Sequence, residues 1–167
     1  LIEAGFRRAQ TIGGLEVARA GFIGGFNSTS NVAAEKYYKI PTGGTMAHAL
    51  VMTYENELDA FREYAESMPY NGVFLIDTYD TLEGAKKAIQ ACQEKGISLK
   101  GVRLDSGDLA QLSIQVRKIL DEAGFTEAKI AASNDLDEDK ITAIRQAGGK
   151  IDMWVVGTNF VTSKKQP

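Results

Sequence analysis

Polar residues recur at nearly constant intervals along this chain, each directly after a stretch that favours a β-strand. They are His48, Asp77, Asp105, Asn134 and Thr158, and the successive intervals are 29, 28, 29 and 24 residues. One strand, one helix and the return to a parallel strand need about 30 residues, so each interval fits one such unit. The chain is therefore predicted to have an α/β fold in which parallel strands alternate with helices.

The stretches between these residues carry the expected strand and helix patterns. Apolar runs predict strands at Val73–Ile76, Val102–Leu104, Ile130–Ala132 and Met153–Val156, and a further strand at Ile40–Met46. Helices are predicted at about 55–68, 81–95, 109–123 and 138–147. Because the loops after the carboxyl ends of parallel strands form the site in barrels and open sheets alike, the polar residues are predicted to line a site. A barrel is favoured over an open sheet because every strand contributes one of them.

The length of the chain predicts an incomplete barrel. A closed eight-stranded barrel needs about 250 residues, whereas this chain has 167 and starts at Leu1 rather than at a methionine. No linker or low-complexity segment interrupts it. The expectation is a single, incomplete domain over residues 1–167, belonging to a longer chain.

Composition excludes several classes of protein. A formal net charge of -3 argues against a broad nucleic-acid-binding surface, and no apolar run approaches the roughly 20 residues of a membrane span. The single cysteine, Cys92, leaves no intrachain disulfide and no zinc framework, which favours a reducing cytoplasm. Cys92 itself is interpreted as a small buried hydrophobic residue.

His48 and Asp77 are the first candidates for chemistry. His48 is the only histidine and follows Gly43 and Gly44, which allow the backbone to turn tightly or to approach a ligand. A neutral imidazole there can act as a nucleophile or proton carrier, while a structural side chain is the alternative. Asp77 is predicted to orient an imidazole or to bind a metal-phosphate.

Arg103 and Asp105 form the most specific local feature. They lie two residues apart on a predicted strand, so their side chains point to the same face. A buried guanidinium needs an anion, and its planar shape matches a carboxylate with two parallel hydrogen bonds. A structural ion pair of Arg103 with Asp105 or Asp77 is the alternative.

Three further features favour binding of phosphate or sugar. Gly157 and Thr158 offer backbone N–H groups and a hydroxyl that suit a phosphate. Asn134 can bond a sugar hydroxyl. Arg7 is either a phosphate ligand or a solvated charge, and residues 24–31 form either a polar loop or a backbone cradle for an anion.

Seven motifs together resemble the nicotinate phosphoribosyltransferase family in order and spacing. They are Glu3–Gln10, Gly24–Asn31, Gly44–His48, Ile76–Asp80, Val102–Asp108, Ala132–Asp137 and Val156–Thr158. The resemblance covers essentially the whole chain. It implies the irregular α/β barrel of the type II phosphoribosyltransferases, seen here as its central portion.

The resemblance also implies an activity and assigns roles. Such enzymes join nicotinate to 5-phosphoribosyl 1-diphosphate with Mg²⁺, in NAD salvage, and couple ATP hydrolysis through a phosphorylated histidine that His48 matches. Asp77 and Asp105 complete the implied catalytic set. The implied nicotinate-binding residues are Thr45, Arg103 and Ser30, and the implied phosphoribosyl diphosphate-binding residues are Arg7, Asn134, Gly157 and Thr158. No metal ligand is assigned.

Rival interpretations stay open at this point. Relatives that use nicotinamide or quinolinate share the fold, but Ser30 stands where the nicotinamide enzymes have an Asp facing the amide, which favours the acid. The full-length protein is expected to be a cytoplasmic homodimer. The isolated 167 residues are expected to be inactive, as a ligand-binding or assembly piece with open strand edges.

Overall fold

Strands and helices alternate along most of the chain. The structure, a computed structural model, describes residues 1–70 and 72–162. The strands are β1 (Ile2–Glu3), β2 (Ser28–Thr29), β3 (Val73–Leu75), β4 (Gly101–Leu104), β5 (Lys129–Ala132) and β6 (Met153–Val156). The helices are α1 (Thr11–Ile23), α2 (Val32–Tyr38), α3 (His48–Val51), α4 (Glu57–Ser67), α5 (Thr81–Lys95), α6 (Leu109–Glu122), α7 (Glu138–Gln146) and α8 (Thr158–Val161). A 3-10 turn, Phe6–Arg8, follows β1.

The chain divides into two compact units. The first unit contains residues 1–44, 133–143 and the described residues from 153 onward, and the second contains residues 45–132 and 144–152. In the first unit β1 pairs in parallel with both β2 and β6. In the second unit β4 pairs in parallel with both β3 and β5. The predicted α/β fold with parallel strands is confirmed, while the assignment of all residues to one domain stays a prediction.

The core of the second unit is built on strands that are buried on both faces. On one face Phe74, Val102 and Ile130 are fully inaccessible to solvent, and on the other Leu75 and Ala131 are at most 1% exposed, as expected for a parallel sheet covered by helices. Helix α4 packs on α5 and buries Phe61. On α5, Cys92 is fully buried as predicted, and this burial raises the pKa of its thiol to about 12.

Side-chain caps fix where the helices begin. Asp80, Asp108 and Asp137 each accept a hydrogen bond from the backbone N–H three residues ahead, at 2.9, 3.1 and 2.9 Å. Each satisfies an N–H that the first turn of a helix leaves without an intrahelical partner. Helix α4 starts at Glu57 instead of Glu55, because Asn56 caps it through the N–H of Asp59 at 3.0 Å.

The strand predicted at Ile40–Met46 is wrong. Only one parallel bridge forms in this stretch, between Thr42 and Thr29, and no strand continues to His48. Pro41 has no N–H to donate, and the two glycines that follow Thr42 weaken a strand. His48 therefore does not end a strand but begins helix α3.

Among the described residues, the helices are all too short or too polar to cross a membrane.

Candidate active site

Asp77 and Asp105 lie just beyond the carboxyl ends of the adjacent strands β3 and β4. The two strands are in register, with Leu75 opposite Arg103. Asp105 follows β4 directly, and Asp77 follows β3 after one buried residue, Ile76. Parallel strands place their carboxyl ends at one edge of a sheet, so the two residues lie next to each other, as the spacing in the sequence predicts.

His48 faces the carboxylate of Asp77. Its Nε2 lies 3.1 Å from Oδ1 of Asp77. The imidazole is 35% exposed, whereas the side chain of Asp77 is only 1% exposed. A carboxylate can only accept hydrogen bonds, so Nε2 of His48 is the donor, and in the neutral imidazole Nδ1 then has the lone pair. The pair thus has the geometry of a base or nucleophile oriented by a buried acid.

The second oxygen of Asp77 is held by the loop after β4. Oδ2 accepts a hydrogen bond from the backbone N–H of Asp105 at 2.8 Å and another from the Ser106 hydroxyl at 2.6 Å. The carboxylate of Asp77 thus accepts hydrogen bonds on both oxygens, which fixes its orientation. Asp77 therefore joins His48 to the loop that carries Asp105.

Arg103 lies beside this group and contacts Thr45 and Asp105. Its Nη1 donates a hydrogen bond to the Thr45 hydroxyl, which in turn donates to the carbonyl of Met46 at 3.2 Å. Its Nη2 lies 3.7 Å from Oδ1 of Asp105, and the two side chains are 19% and 31% exposed. The second unit thus brings together Thr45, His48, Asp77, Arg103 and Asp105, which the sequence predicted as one site. It also contains the ion pair that was the structural alternative for Arg103.

In the first unit, the turn that carries Arg7 packs against the start of α8. The backbone N–H of Ala4 donates to the carbonyl of Val156 at 2.8 Å. A Cβ at Gly5 would lie 2.8 Å from the carbonyl oxygen of Gly157, so only glycine allows this approach. Arg7 is exposed, while Gly157 and Thr158 are half-buried. The structure therefore brings the predicted phosphate residues at 7, 157 and 158 into one neighbourhood.

Asn134 lies in a strained turn of the first unit. Its φ is 102° and that of Asp135 is 44°, in the region that disfavours residues other than glycine. Asn159 of α8 donates a hydrogen bond to the carbonyl of Asp135 at 2.6 Å, which ties this turn to the helix of Thr158. Strain of this kind costs about 1–3 kcal/mol and often marks a functional site.

A profile of the family described as "Nicotinate phosphoribosyltransferase (NAPRTase) family" matches residues 5–162 of the chain. The chain belongs to the nicotinate phosphoribosyltransferase family. The resemblance inferred from the seven motifs is confirmed.

Individual relatives agree with this assignment. The nicotinate phosphoribosyltransferase of Bacillus subtilis is 52% identical over 170 residues, covering 99% of this chain and 34% of the relative. Crystal structures of human nicotinic acid phosphoribosyltransferase and of nicotinate-nucleotide pyrophosphorylase from Pyrococcus furiosus superpose with TM-scores of 0.83 and 0.81, at 26% and 28% identity. They cover 94% and 96% of this chain, and 43% and 42% of their own chains are matched. The chain thus spans about a third of the curated relative and less than half of each solved structure.

Glu3 is a residue of this family member that sequence reasoning did not assign to the site. It is fully buried, and its two carboxylate oxygens accept hydrogen bonds from the N–H of Gly5 and the hydroxyl of Thr29. Its carbonyl accepts from the N–H of Ser30 at 2.7 Å. Glu3 therefore holds the turn of Arg7 and the segment of Ser30 in place. The sequence offered one hint, an acidic residue inside an otherwise apolar segment.

Replacing Glu3 by Gln is expected to destabilise the protein by about 1–3 kcal/mol, because the amide keeps one oxygen and its NH2 group must face either the Gly5 N–H or the Thr29 hydroxyl in a buried position. Urea unfolding would measure the loss. Glu127 is exposed, so Glu127→Gln is the matched control and should change stability by less than about 0.5 kcal/mol. Equal stability of the two variants would contradict the role of Glu3.

The resemblance implies Mg²⁺, but the described residues form no complete set of protein ligands for it. Across residues 1–70 and 72–162, no group of three or more His, Cys, Asp or Glu side chains is arranged to hold a metal ion. Mg²⁺ usually takes one or two carboxylates together with substrate phosphates and water. The described residues do not supply such a site on their own, so Mg²⁺ stays a prediction.

Proposed function

We propose that the full-length protein transfers the phosphoribosyl group of 5-phosphoribosyl 1-diphosphate to nicotinate, giving nicotinate mononucleotide and diphosphate. The observation that carries this proposal is the cluster in the second unit, where Arg103 and Asp105 adjoin the His48–Asp77 pair through the hydrogen bond between Asp77 and the backbone of Asp105. The cluster combines a guanidinium that can bind the carboxylate of nicotinate, a carboxylate that can stabilise positive charge developing on the ribose, and an imidazole that can act as a nucleophile.

Arg103 is proposed to bind the carboxylate of nicotinate. Its hydrogen bond to Thr45 orients the guanidinium, which remains 19% exposed. A guanidinium binds a carboxylate through two parallel hydrogen bonds and gives no such bond pattern to a neutral amide. The acid is therefore favoured over nicotinamide. Fixing the carboxylate would also fix the ring nitrogen, the atom that attacks the anomeric carbon.

Asp105 is proposed to stabilise the sugar in the transition state. Displacement of diphosphate at the anomeric carbon develops positive charge on the ribose ring, which a nearby carboxylate stabilises. Asp105 is 31% exposed and its backbone is anchored to Asp77, so the carboxylate can meet a bound ligand without a large rearrangement. In this proposal Arg7, Asn134, Gly157 and Thr158 bind the phosphates and the ribose, and Ser30 lies near nicotinate.

His48 is proposed to couple the transfer to ATP. Because Nε2 donates to Asp77, the lone pair on Nδ1 is the nucleophile for the γ-phosphate of ATP. A bond between Nδ1 and phosphorus forms, the bond to the bridging oxygen breaks, and ADP leaves. Hydrolysis of the phosphohistidine would later restore the imidazole. A homodimer, Mg²⁺ bound with the diphosphate and a cytoplasmic location belong to the same proposal.

Replacing Arg103 by Lys in the full-length protein tests the acid-binding role. The KM for nicotinate is expected to rise at least about tenfold, because an ammonium cannot form two parallel hydrogen bonds to a carboxylate. Arg62 pairs with Glu94 at 2.7 Å on the surface of α4, so Arg62→Lys is the matched control and should leave the KM within about twofold. Product would be followed as nicotinate mononucleotide by chromatography.

Calorimetric titration of the wild-type protein with nicotinate and nicotinamide completes the test. Binding of nicotinate with little binding of nicotinamide is expected. Tight binding of nicotinamide, or preferential binding of quinolinate, would contradict the proposed substrate and favour the related transferases of this fold.

A further inference from the structure

Ser106 contacts the proposed nucleophile only through Asp77. It lies in the loop between β4 and α6, and its hydroxyl donates to Oδ2 of Asp77 at 2.6 Å. The other oxygen of the same carboxylate faces Nε2 of His48 at 3.1 Å. Ser106 and His48 thus occupy opposite oxygens of one buried carboxylate.

We propose that Ser106 is a positioning residue for the phosphorylation of His48. By holding Oδ2 of Asp77, its hydroxyl fixes the rotation of the carboxylate and thereby keeps Oδ1 aimed at Nε2 of His48. The imidazole is then held in the tautomer that presents the lone pair of Nδ1. This inference rests on the proposed function, specifically on the transfer of a phosphoryl group from ATP to His48.

The physical reason lies in how freely a carboxylate rotates. The last torsion of an Asp side chain has broad minima, so the carboxylate turns easily unless both oxygens are held. An O–H···O⁻ bond of 2.5–2.7 Å is among the stronger hydrogen bonds in proteins, and that of Ser106 falls within this range. Without it, Oδ2 keeps the backbone N–H of Asp105 as a donor, so the carboxylate is held less firmly and Oδ1 moves away from Nε2 of His48 more often.

The position of Ser106 makes a clean test possible. Ser106 is exposed to solvent, so removing its hydroxyl leaves no cavity in the core. Ser106→Thr keeps a hydroxyl on the same carbon. Ser98 is also exposed and precedes β4 at the opposite end of the strand from Ser106. Ser98→Ala is therefore the matched control for the loss of a surface hydroxyl.

The test compares the full-length wild type with Ser106→Ala, Ser106→Thr and Ser98→Ala. The rate of formation of acid-labile phosphoenzyme from radiolabelled ATP would be measured by rapid quench. Ser106→Ala is expected to be about tenfold slower than wild type, the scale of losing one charge-assisted hydrogen bond. Ser106→Thr should stay within about threefold, and Ser98→Ala should match the wild type.

A second measurement separates positioning from a merely structural role. Nitrogen-15 NMR of the imidazole reports which ring nitrogen carries the proton, and the signal of His48 is the one that disappears in His48→Ala. The wild type and Ser106→Thr should show protonated Nε2. In Ser106→Ala the imidazole should detach from Asp77 for part of the time, and its signal should then show a mixture of the two tautomers.

Two results would overturn the inference: phosphorylation of Ser106→Ala at the wild-type rate, or a Ser106→Thr variant as slow as Ser106→Ala. Failure of the proposed function is distinguishable, because it would appear as no phosphoenzyme in the wild type itself. That result would remove the step on which the inference rests and overturn both.

Discussion

Replacing His48 by Ala in the full-length protein is expected to abolish the dependence of the transfer on ATP, while slow formation of nicotinate mononucleotide continues. The imidazole is the only proposed acceptor of the γ-phosphate, whereas Arg103 and Asp105, which would act on nicotinate and ribose, remain. The comparison is the rate of product formation with and without ATP. We expect ATP to stimulate the wild type and to have no effect on the variant.

Asp77→Asn complements His48→Ala. Asn has the same shape as Asp, but only one of its two terminal atoms can accept a hydrogen bond. The Asn carbonyl must face the two donors at Oδ2, from Asp105 and Ser106, which turns its amide N–H groups toward His48. Nε2 must then accept, so the proton moves to Nδ1 and the nucleophilic lone pair is lost. A wrong tautomer costs up to about 10⁴-fold in rate in a comparable hydrogen-bonded pair.

We expect phosphoenzyme formation to fall by about 10²–10⁴-fold in Asp77→Asn. Unchanged stimulation by ATP in His48→Ala would refute the role of His48 as phosphoryl acceptor. A normal rate of phosphorylation in Asp77→Asn would refute only the assignment of the tautomer.

Replacing Gly84 by Ala is expected to destabilise the protein by about 2–3 kcal/mol. Gly84 lies in α5, and a methyl group there would overlap the carbonyl oxygen of Ile76 and lie 2.9 Å from its carbonyl carbon. Overpacking typically costs about 1–3 kcal/mol and more against rigid backbone, and the better helix propensity of Ala returns only up to about 1 kcal/mol. The backbone that must move leads directly into Asp77.

Gly13→Ala is the control, because it makes the same change in a helix with room for it. A methyl group at Gly13 of α1 would meet only the Cβ of Ala9, at 3.9 Å, so the gain in helix propensity of about 0.5–1 kcal/mol should appear as added stability. Urea unfolding of both variants measures the difference. If Gly84→Ala were as stable as Gly13→Ala, helix α5 would not approach β3 as closely as described.

The sequence was sufficient to place Asp77 and Asp105 together. Their spacing of 28 residues is one strand–helix unit, and parallel strands bring their carboxyl ends to one edge. Helices α5 and α6 were also well predicted, because Asp80, Gly96 and Asp108 are clear start and stop residues. His48 was placed in the right neighbourhood but on the wrong element, since the apolar residues near Ile40 resemble a strand that Pro41 prevents.

Other parts of the site depend on contacts that no periodicity encodes. Strands β1 and β2 have two residues each, too few to show an alternating pattern. The burial of Glu3 depends on Thr29, which lies 26 residues away. The bond from Ser106 to Asp77 depends on how a loop closes over a neighbouring strand end. Such contacts join residues that are far apart in the sequence, so they can be recognised only in the tertiary structure.

Because Cys92 is buried, its reaction with thiol reagents can report local unfolding of this protein. Burial raises the pKa of its thiol to about 12, so we expect almost no thiolate at neutral pH and slow reaction of the folded protein with alkylating reagents. Cys92 lies on α5, the helix whose packing depends on Gly84, and it is the only cysteine in the 167 residues. The rate at which a thiol reagent modifies it therefore measures how often this helix detaches from the sheet beneath the proposed nucleophile.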